Sequence, residues 1–239
     1  TGAGRAIVIN SGNANCCTGE QGMQNALAMA KAVADGLDLA VEQVLVASTG
    51  VIGEQLPIQK IQTAVPALLG ALKPEGLSDL AEAIMTTDTV PKTVARTLAV
   101  GGREVKFLGM AKGSGMIAPD MATMLAFLAT DAEVSAEVLD RVLRRAVHDT
   151  FNAITIDGDM STNDTVLVLA NGAAGGPRIA RGSKECRQFR DALQFVLLEL
   201  AKQIVKDGER ITKFVTLEVK GAPTYLDAKK VAEAVSKSA

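Results

Sequence analysis

The residues with the most chemistry to offer lie between positions 109 and 130. Lys112-Gly113-Ser114-Gly115 puts a lone cation in a flexible loop, Ala118-Pro119-Asp120 is a stiffened turn, and small Ala122 precedes Thr123, which opens the apolar run 124–129. A hydroxyl at the mouth of a buried strand, behind a constrained turn and beside a lysine, is how a threonine nucleophile is displayed. A hydroxyl nucleophile can use its own α-amine as base. That requires Thr123 to become a chain start, by cleavage of the Ala122–Thr123 bond. Ala122 leaves room for the hydroxyl to reach the preceding carbonyl, and the Pro119 turn can hold that bond under strain. An ordinary buried strand with Thr at its first position fits the same residues, so spacing alone leaves both readings open.

Two further places could serve such a nucleophile. Ser48-Thr49-Gly50, at a strand end, could aim a hydroxyl and a backbone N–H at a developing oxyanion. Lys112 could hold a substrate carboxylate, and Glu209, just past the helix stop at Gly208, could hold an amine.

Rival chemistries lack their residues. A Ser or Cys triad needs a histidine; the only one, His148, lies near the end of an amphipathic helix, where a cation suits the dipole. Asn10-Ser11-Gly12-Asn13-Ala14-Asn15 lacks the glycine spacing of a dinucleotide loop, and no phosphate loop is present. Asp157, Asp159, Ser161 and Asn163 alternate like a calcium loop, but Thr162 and Val168 stand where Gly and Glu are needed. A hydrogen-bonded Asx turn is the better reading, and no metal is expected. The adjacent Cys16 and Cys17 read as buried rather than reactive.

Composition narrows the class. The 239 residues are 48% hydrophobic and 22% charged, enough for a sizeable core. A net charge of −2, one Tyr and no Trp argue against nucleic acid. No apolar run approaches the ~18–20 residues of a membrane span, and no signal-peptide layout opens the chain. Three cysteines make no disulfide framework, so a reducing, cytoplasmic setting is expected. A start without Met and a final helix with nothing after it suggest a chain cut from something longer.

The elements that must position these groups alternate in type. Strands are expected at 7–9, ended by the polar turn 10–15, and at 44–47. Helices are expected from a Thr18/Gln21 capping box to about 35, after Pro57, and over 78–85. A β-hairpin spans 93–108 around Gly101-Gly102. The apolar run after Thr123 supplies the next strand. A helix capped by Ser135 follows to about 150, then a strand at 166–169, a long helix from about 184 to 207, a strand at 214–219 and a helix over 227–236. The reading is layered α/β, with a mixed or antiparallel sheet covered by helices.

Together these segments resemble the ornithine acetyltransferase family, the bifunctional glutamate/ornithine N-acetyltransferases of arginine biosynthesis. The matching blocks are 6–15, Ser48-Thr49-Gly50-Val51-Ile52-Gly53, Met85-Thr86-Thr87-Asp88-Thr89, 111–125, Asp157-Gly158-Asp159 with Ser161-Thr162-Asn163-Asp164, and Lys206-Asp207-Gly208-Glu209. They keep family order along nearly the whole chain. The resemblance implies a helix-covered double β-sheet sandwich of mixed and antiparallel strands. It implies self-cleavage at Ala122–Thr123 into an α portion, 1–122, and a β portion, 123–239, each shortened at its outer end relative to the family. Thr123 would then carry acetyl from N-acetylornithine to glutamate. Thr49 and Gly50 would stabilise the oxyanion, and Thr86, Lys112, Thr123 and Glu209 would contact substrate. No cofactor is implied beyond acetyl-CoA as an alternative donor in some members, and an α2β2 assembly is expected. The alternatives are a related self-cleaving aminopeptidase or amidase and a non-catalytic structural chain. Departures from the family are Asp120 for Asn, Cys16 for Ala, Met160 for Thr, and Arg210-Ile211 for Gly-Ala.

Overall fold

The computed structural model describes residues 2–117 and 124–238. Ala118, Pro119, Asp120, Met121, Ala122 and Thr123, with the expected cleavage bond and nucleophile, lie outside the described residues.

Two sheets form. Strand β1 (Ala6–Asn13) pairs in parallel with β2 (Val44–Val51). Helix α1 (Gly19–Leu37) joins them, and a crossover of that kind returns the chain in the same direction. This sheet is purely parallel, where mixed or antiparallel pairing was expected. Helices α2 (Ile58–Gly70) and α3 (Leu77–Ala83) follow. The second sheet contains β3 (Lys92–Val100), β4 (Arg103–Lys112), β5 (Leu125–Thr130) and, beyond helix α4 (Ala136–His148), β6 (Thr165–Ala170). Its order is β3-β4-β5-β6, antiparallel except for the parallel β5–β6 pair. Helices α5 (Lys184–Lys206) and α6 (Tyr225–Ser236) complete the fold.

Side-chain alternation stacks these pieces into four layers. On β1, Val8 faces α1 and α2, packing with Met29, Val33 and Val65, while Ile7 and Ile9 face the other sheet. On β5, Leu125 and Phe127 meet that central layer with Met110, while Ala126 and Leu128 turn to α4 and α5. A strand buried on both faces has no room for polar alternation, which is why 124–129 is continuously apolar. Helix α5 covers the larger sheet with Phe189, Leu193, Val196, Leu197, Leu200 and Ile204, each about 1.5–3 kcal/mol of burial. The result is the helix-covered double-sheet sandwich expected from the resemblance.

Local expectations differ in three places. β1 does not stop at Asn10; it continues to Asn13 because β2 extends alongside it to Val51. Thr18 caps no backbone N–H; its hydroxyl bonds to Asn15 Oδ1 instead, at 3.1 Å, and α1 runs through Gly36 to Leu37. The 214–219 run forms no strand, although its residues are β-branched and apolar. Phe214, Val215 and Leu217 are exposed, and a strand needs a neighbouring strand for its backbone groups.

Candidate active site

The site forms where the C-terminal ends of β1 and β2 meet the end of β4. Lys112 is the last residue of β4, so its side chain enters from a rigid element. It is 2% exposed, and its ammonium donates to Thr86 Oγ1 at 2.7 Å and to Thr49 Oγ1 at 3.1 Å. Three residues singled out from separate parts of the sequence therefore converge on one cation. Each hydroxyl accepts from Lys112 and keeps its own hydrogen to donate. Asp88 Oδ2 stands 3.9 Å from the ammonium, beyond hydrogen-bond reach, so among the described residues the third N–H has no acceptor. Burial pulls the Lys112 amine below its usual value, partly opposed by the Asp88 charge.

Thr49 and Gly50 are held by the parallel pairing, Ser11 opposite Thr49 and Gly12 opposite Gly50. Gly50 has φ 133°, and a β-carbon there would stand 2.5 Å from Asn13 N, so glycine is required by both backbone angle and crowding. Ser48 Oγ donates to Asn10 Oδ1 at 2.5 Å, and Asn163 Nδ2 donates to the carbonyls of Ala14 and Ser48, at 2.6 and 3.1 Å. The polar turn and the acidic loop thus brace the strand ends that display Thr49.

The acidic loop clamps backbone, in line with its Asx-turn reading. Asp157 Oδ1 accepts from Asp159 N at 3.1 Å, closing the turn, and from Ile117 N at 2.9 Å. Asp164 Oδ1 accepts from Met124 N at 2.8 Å, so both described flanks of 118–123 are fastened to this loop. Asp164 Oδ2 is buried without a hydrogen-bond partner among the described residues. Burial raises its carboxyl pKa to about 6 against the pull of the Met124 N–H and the Lys112 charge. Among the described residues no three of His, Cys, Asp or Glu cluster as a metal set.

Glu209 is exposed, with its backbone N–H donating to Ser114 O at 2.7 Å. A β-carbon on Gly115 would lie 2.8 Å from Glu209 Oε1, so the glycine of the Lys112–Gly115 loop makes room for this carboxylate. Arg210, beside it, is exposed with φ 59°. His148 sits at the end of α4, its Nδ1 2.8 Å from Asp149 Oδ1, consistent with the structural reading. Cys16 is half-buried and Cys17 exposed, their sulfurs 3.7 Å apart, so the expectation that the pair is buried fails. Positive φ at Asn15 and Cys17 coils the loop tightly and leaves the Cys17 thiol outside the core.

Sequence reasoning gave no site role to Asp88, Lys92 and Asp207. Lys92 Nζ bonds to Asp88 Oδ1 at 2.7 Å and to Asp207 Oδ2 at 2.5 Å, all three side chains almost wholly shielded. The available signal was Lys92 itself, a charge opening an apolar strand four residues after Asp88.

Comparison with known proteins places the chain in a family. The ArgJ family model matches residues 1–239. The arginine biosynthesis bifunctional protein ArgJ of Symbiobacterium thermophilum is 56% identical over 98% of this chain, and that of Geobacter sulfurreducens is 53% identical over 100%. The chain spans 58% and 61% of those relatives' own lengths. The crystal structure of arginine biosynthesis bifunctional protein argJ from Bacillus halodurans aligns with a TM-score of 0.44 at 41% identity, over 50% of this chain and 61% of that one. Ornithine acetyltransferase complexed with ornithine, from Mycobacterium tuberculosis, aligns at 0.40 and 32% identity, over 50% and 62%. With the family model matching from end to end, the chain belongs to the ArgJ family.

Proposed function

We propose that this chain acts as an acetyltransferase of arginine biosynthesis, moving acetyl from N-acetylornithine to glutamate through an acetyl-threonine on Thr123. Cleavage of the Ala122–Thr123 bond frees the Thr123 α-amine, which then serves as the base. The Thr123 hydroxyl attacks the acetyl carbonyl, the C–N bond breaks, and ornithine leaves with the proton the α-amine had taken. Glutamate's amine attacks the resulting ester and expels the Thr123 oxygen. Splitting one transfer into two acyl exchanges needs no bound cofactor, although acetyl-CoA is chemically competent to load the same threonine. The two pieces stay together as α and β chains, in an α2β2 assembly.

The observation that carries this reading is the convergence of Thr49, Thr86 and Lys112. It provides hydroxyl donors for an oxyanion and a cation with a spare N–H for a carboxylate, as an acylated amino acid requires. Glu209, across the Gly113–Gly115 loop, supplies the opposite charge for the ornithine side-chain amine. The relatives' names point to the same pathway. The test is to supply N-acetylornithine with and without glutamate. N-acetylglutamate is expected to form one for one with ornithine; acetate release indifferent to glutamate contradicts transfer.

A further inference from the structure

Lys92 takes no part in the chemistry above, yet it and Asp88 have no side-chain exposure at all. Its ammonium donates to Asp88 Oδ1 at 2.7 Å, Asp207 Oδ2 at 2.5 Å and Val90 O at 3.3 Å. All three hydrogens are used inside the protein, so Lys92 cannot itself bind a ligand. Desolvating such a set costs several kcal/mol per ion, and apolar replacements are often as stable. Stability is therefore a weak account of this residue. A buried ion set does, however, hold distances that an apolar cluster would let drift.

The two carboxylates reach in different directions. Asp88 accepts from Gly113 N at 2.6 Å and Thr86 N at 3.2 Å, fixing the backbone just after Lys112 and that of Thr86, whose hydroxyl accepts from the Lys112 ammonium. Asp207 accepts from Thr89 N at 3.0 Å and from the Thr89 hydroxyl, and it lies two residues before Glu209. We propose that Lys92 is a positioning residue: by joining Asp88 to Asp207 it sets the separation of the Lys112 ammonium from the Glu209 carboxylate, and with it the length of the substrate side chain accepted. The inference rests on reading Lys112 and Glu209 as the two charged anchors. A substrate with a carboxylate at one end and an ammonium at the other is measured by that separation. The Lys92 charge also bears on Lys112 directly, lowering the pKa of its amine.

The test uses the full chain with Lys92→Met/Asp207→Asn, which removes one buried charge of each sign and leaves Asp88 to its backbone donors and Lys112. Two quantities are read: the kcat/KM ratio of N-acetylornithine to N-acetyllysine, one methylene longer, and the pH midpoint for chemical labelling of the Lys112 amine. The ratio is expected to fall about tenfold, the scale of one methylene's worth of discrimination, with KM moving more than kcat. The labelling midpoint is expected to rise. Asp207→Asn alone, which cuts only the arm toward Glu209, should relax the ratio in the same direction and serves if the double variant does not fold. A folded variant that keeps the wild-type ratio and midpoint overturns the inference, because a merely structural role would lower only the melting temperature. If the wild type transfers acetyl from neither substrate, the functional reading fails, and the labelling midpoint alone decides whether Lys92 acts on Lys112.

Discussion

Asp88 and Lys112 face each other at 3.9 Å without a hydrogen bond. Asp88 spends its oxygens on Lys92 and on the backbone of Thr86 and Gly113, so Lys112 feels its charge while its N–H groups point elsewhere. That separation leaves the Asp88 charge opposing the effect of burial on the Lys112 amine without occupying its N–H groups.

Replacing Asp88 by Asn should cost about 3 kcal/mol at pH 7, because Lys92 keeps only Asp207 and the buried Lys112 loses the carboxylate 3.9 Å away. Burial pushes the Asp88 carboxyl up, but the Lys92 hydrogen bond, the Gly113 N–H and the two lysine charges outweigh it and hold it below the usual range. A carboxyl depressed in the folded state binds fewer protons there than in the unfolded state. Its stabilisation is present above the ordinary carboxylate range and is lost as pH falls through the folded value. Urea unfolding should show the gap between wild type and Asp88→Asn closing with acid. A gap that stays constant from about pH 5 to about pH 2 would contradict this account.

Much of this site was legible because its parts carry local signatures. Thr49 follows the apolar run 44–47, Lys112 precedes the glycines of 113–115 though it ends β4 rather than standing in a loop, and the hairpin around Gly101-Gly102 fixes how β4 delivers it. Thr86 was reached only through family resemblance, since nothing near it announces a site. The pairing of Lys92 with Asp207 spans 115 positions and was invisible, because long-range ion pairs leave no periodicity. The 214–219 run misled for the opposite reason: β-branched residues describe a strand's surface, not the presence of a partner. Parallel β1–β2 pairing was missed although α1 between them required it, because the hairpin dominated the expectation for sheet direction.

Asp164 should make stability decline toward neutral pH. Burial raises its carboxyl from 3.8 to about 6, so the folded state holds more protons than the unfolded state across that interval. The contribution is fullest below the lower value and is lost as pH rises through the upper one. Discounted for the carboxylate's residual solvation, the loss is about 1–2 kcal/mol. Asp164→Asn keeps an acceptor for the Met124 N–H and should match wild type near pH 4 while exceeding it near pH 7 by about that amount. Parallel stability curves for the two proteins would refute the assignment.

Gly50→Ala should destabilise the chain by more than about 2 kcal/mol, since φ 133° is strained for alanine and the added carbon meets Asn13 N at 2.5 Å. Chemical denaturation measures the loss, and the acetyl-transfer rate should fall further than stability explains. A Gly50→Ala protein with wild-type stability and rate would mean that the β1–β2 strand ends do not hold Thr49 in place.

In the proposed reaction Thr123 becomes a chain start and carries the acetyl group. Intact-mass analysis of the purified protein, untreated and after brief exposure to N-acetylornithine, tests it most directly. The expected result is two species split between Ala122 and Thr123, with one acetyl group added to the piece beginning at Thr123. In Thr123→Ala, a single uncut chain should remain and take up no acetyl. A Thr123→Ala protein that still splits at this bond, or a wild-type chain acetylated elsewhere, would contradict the account.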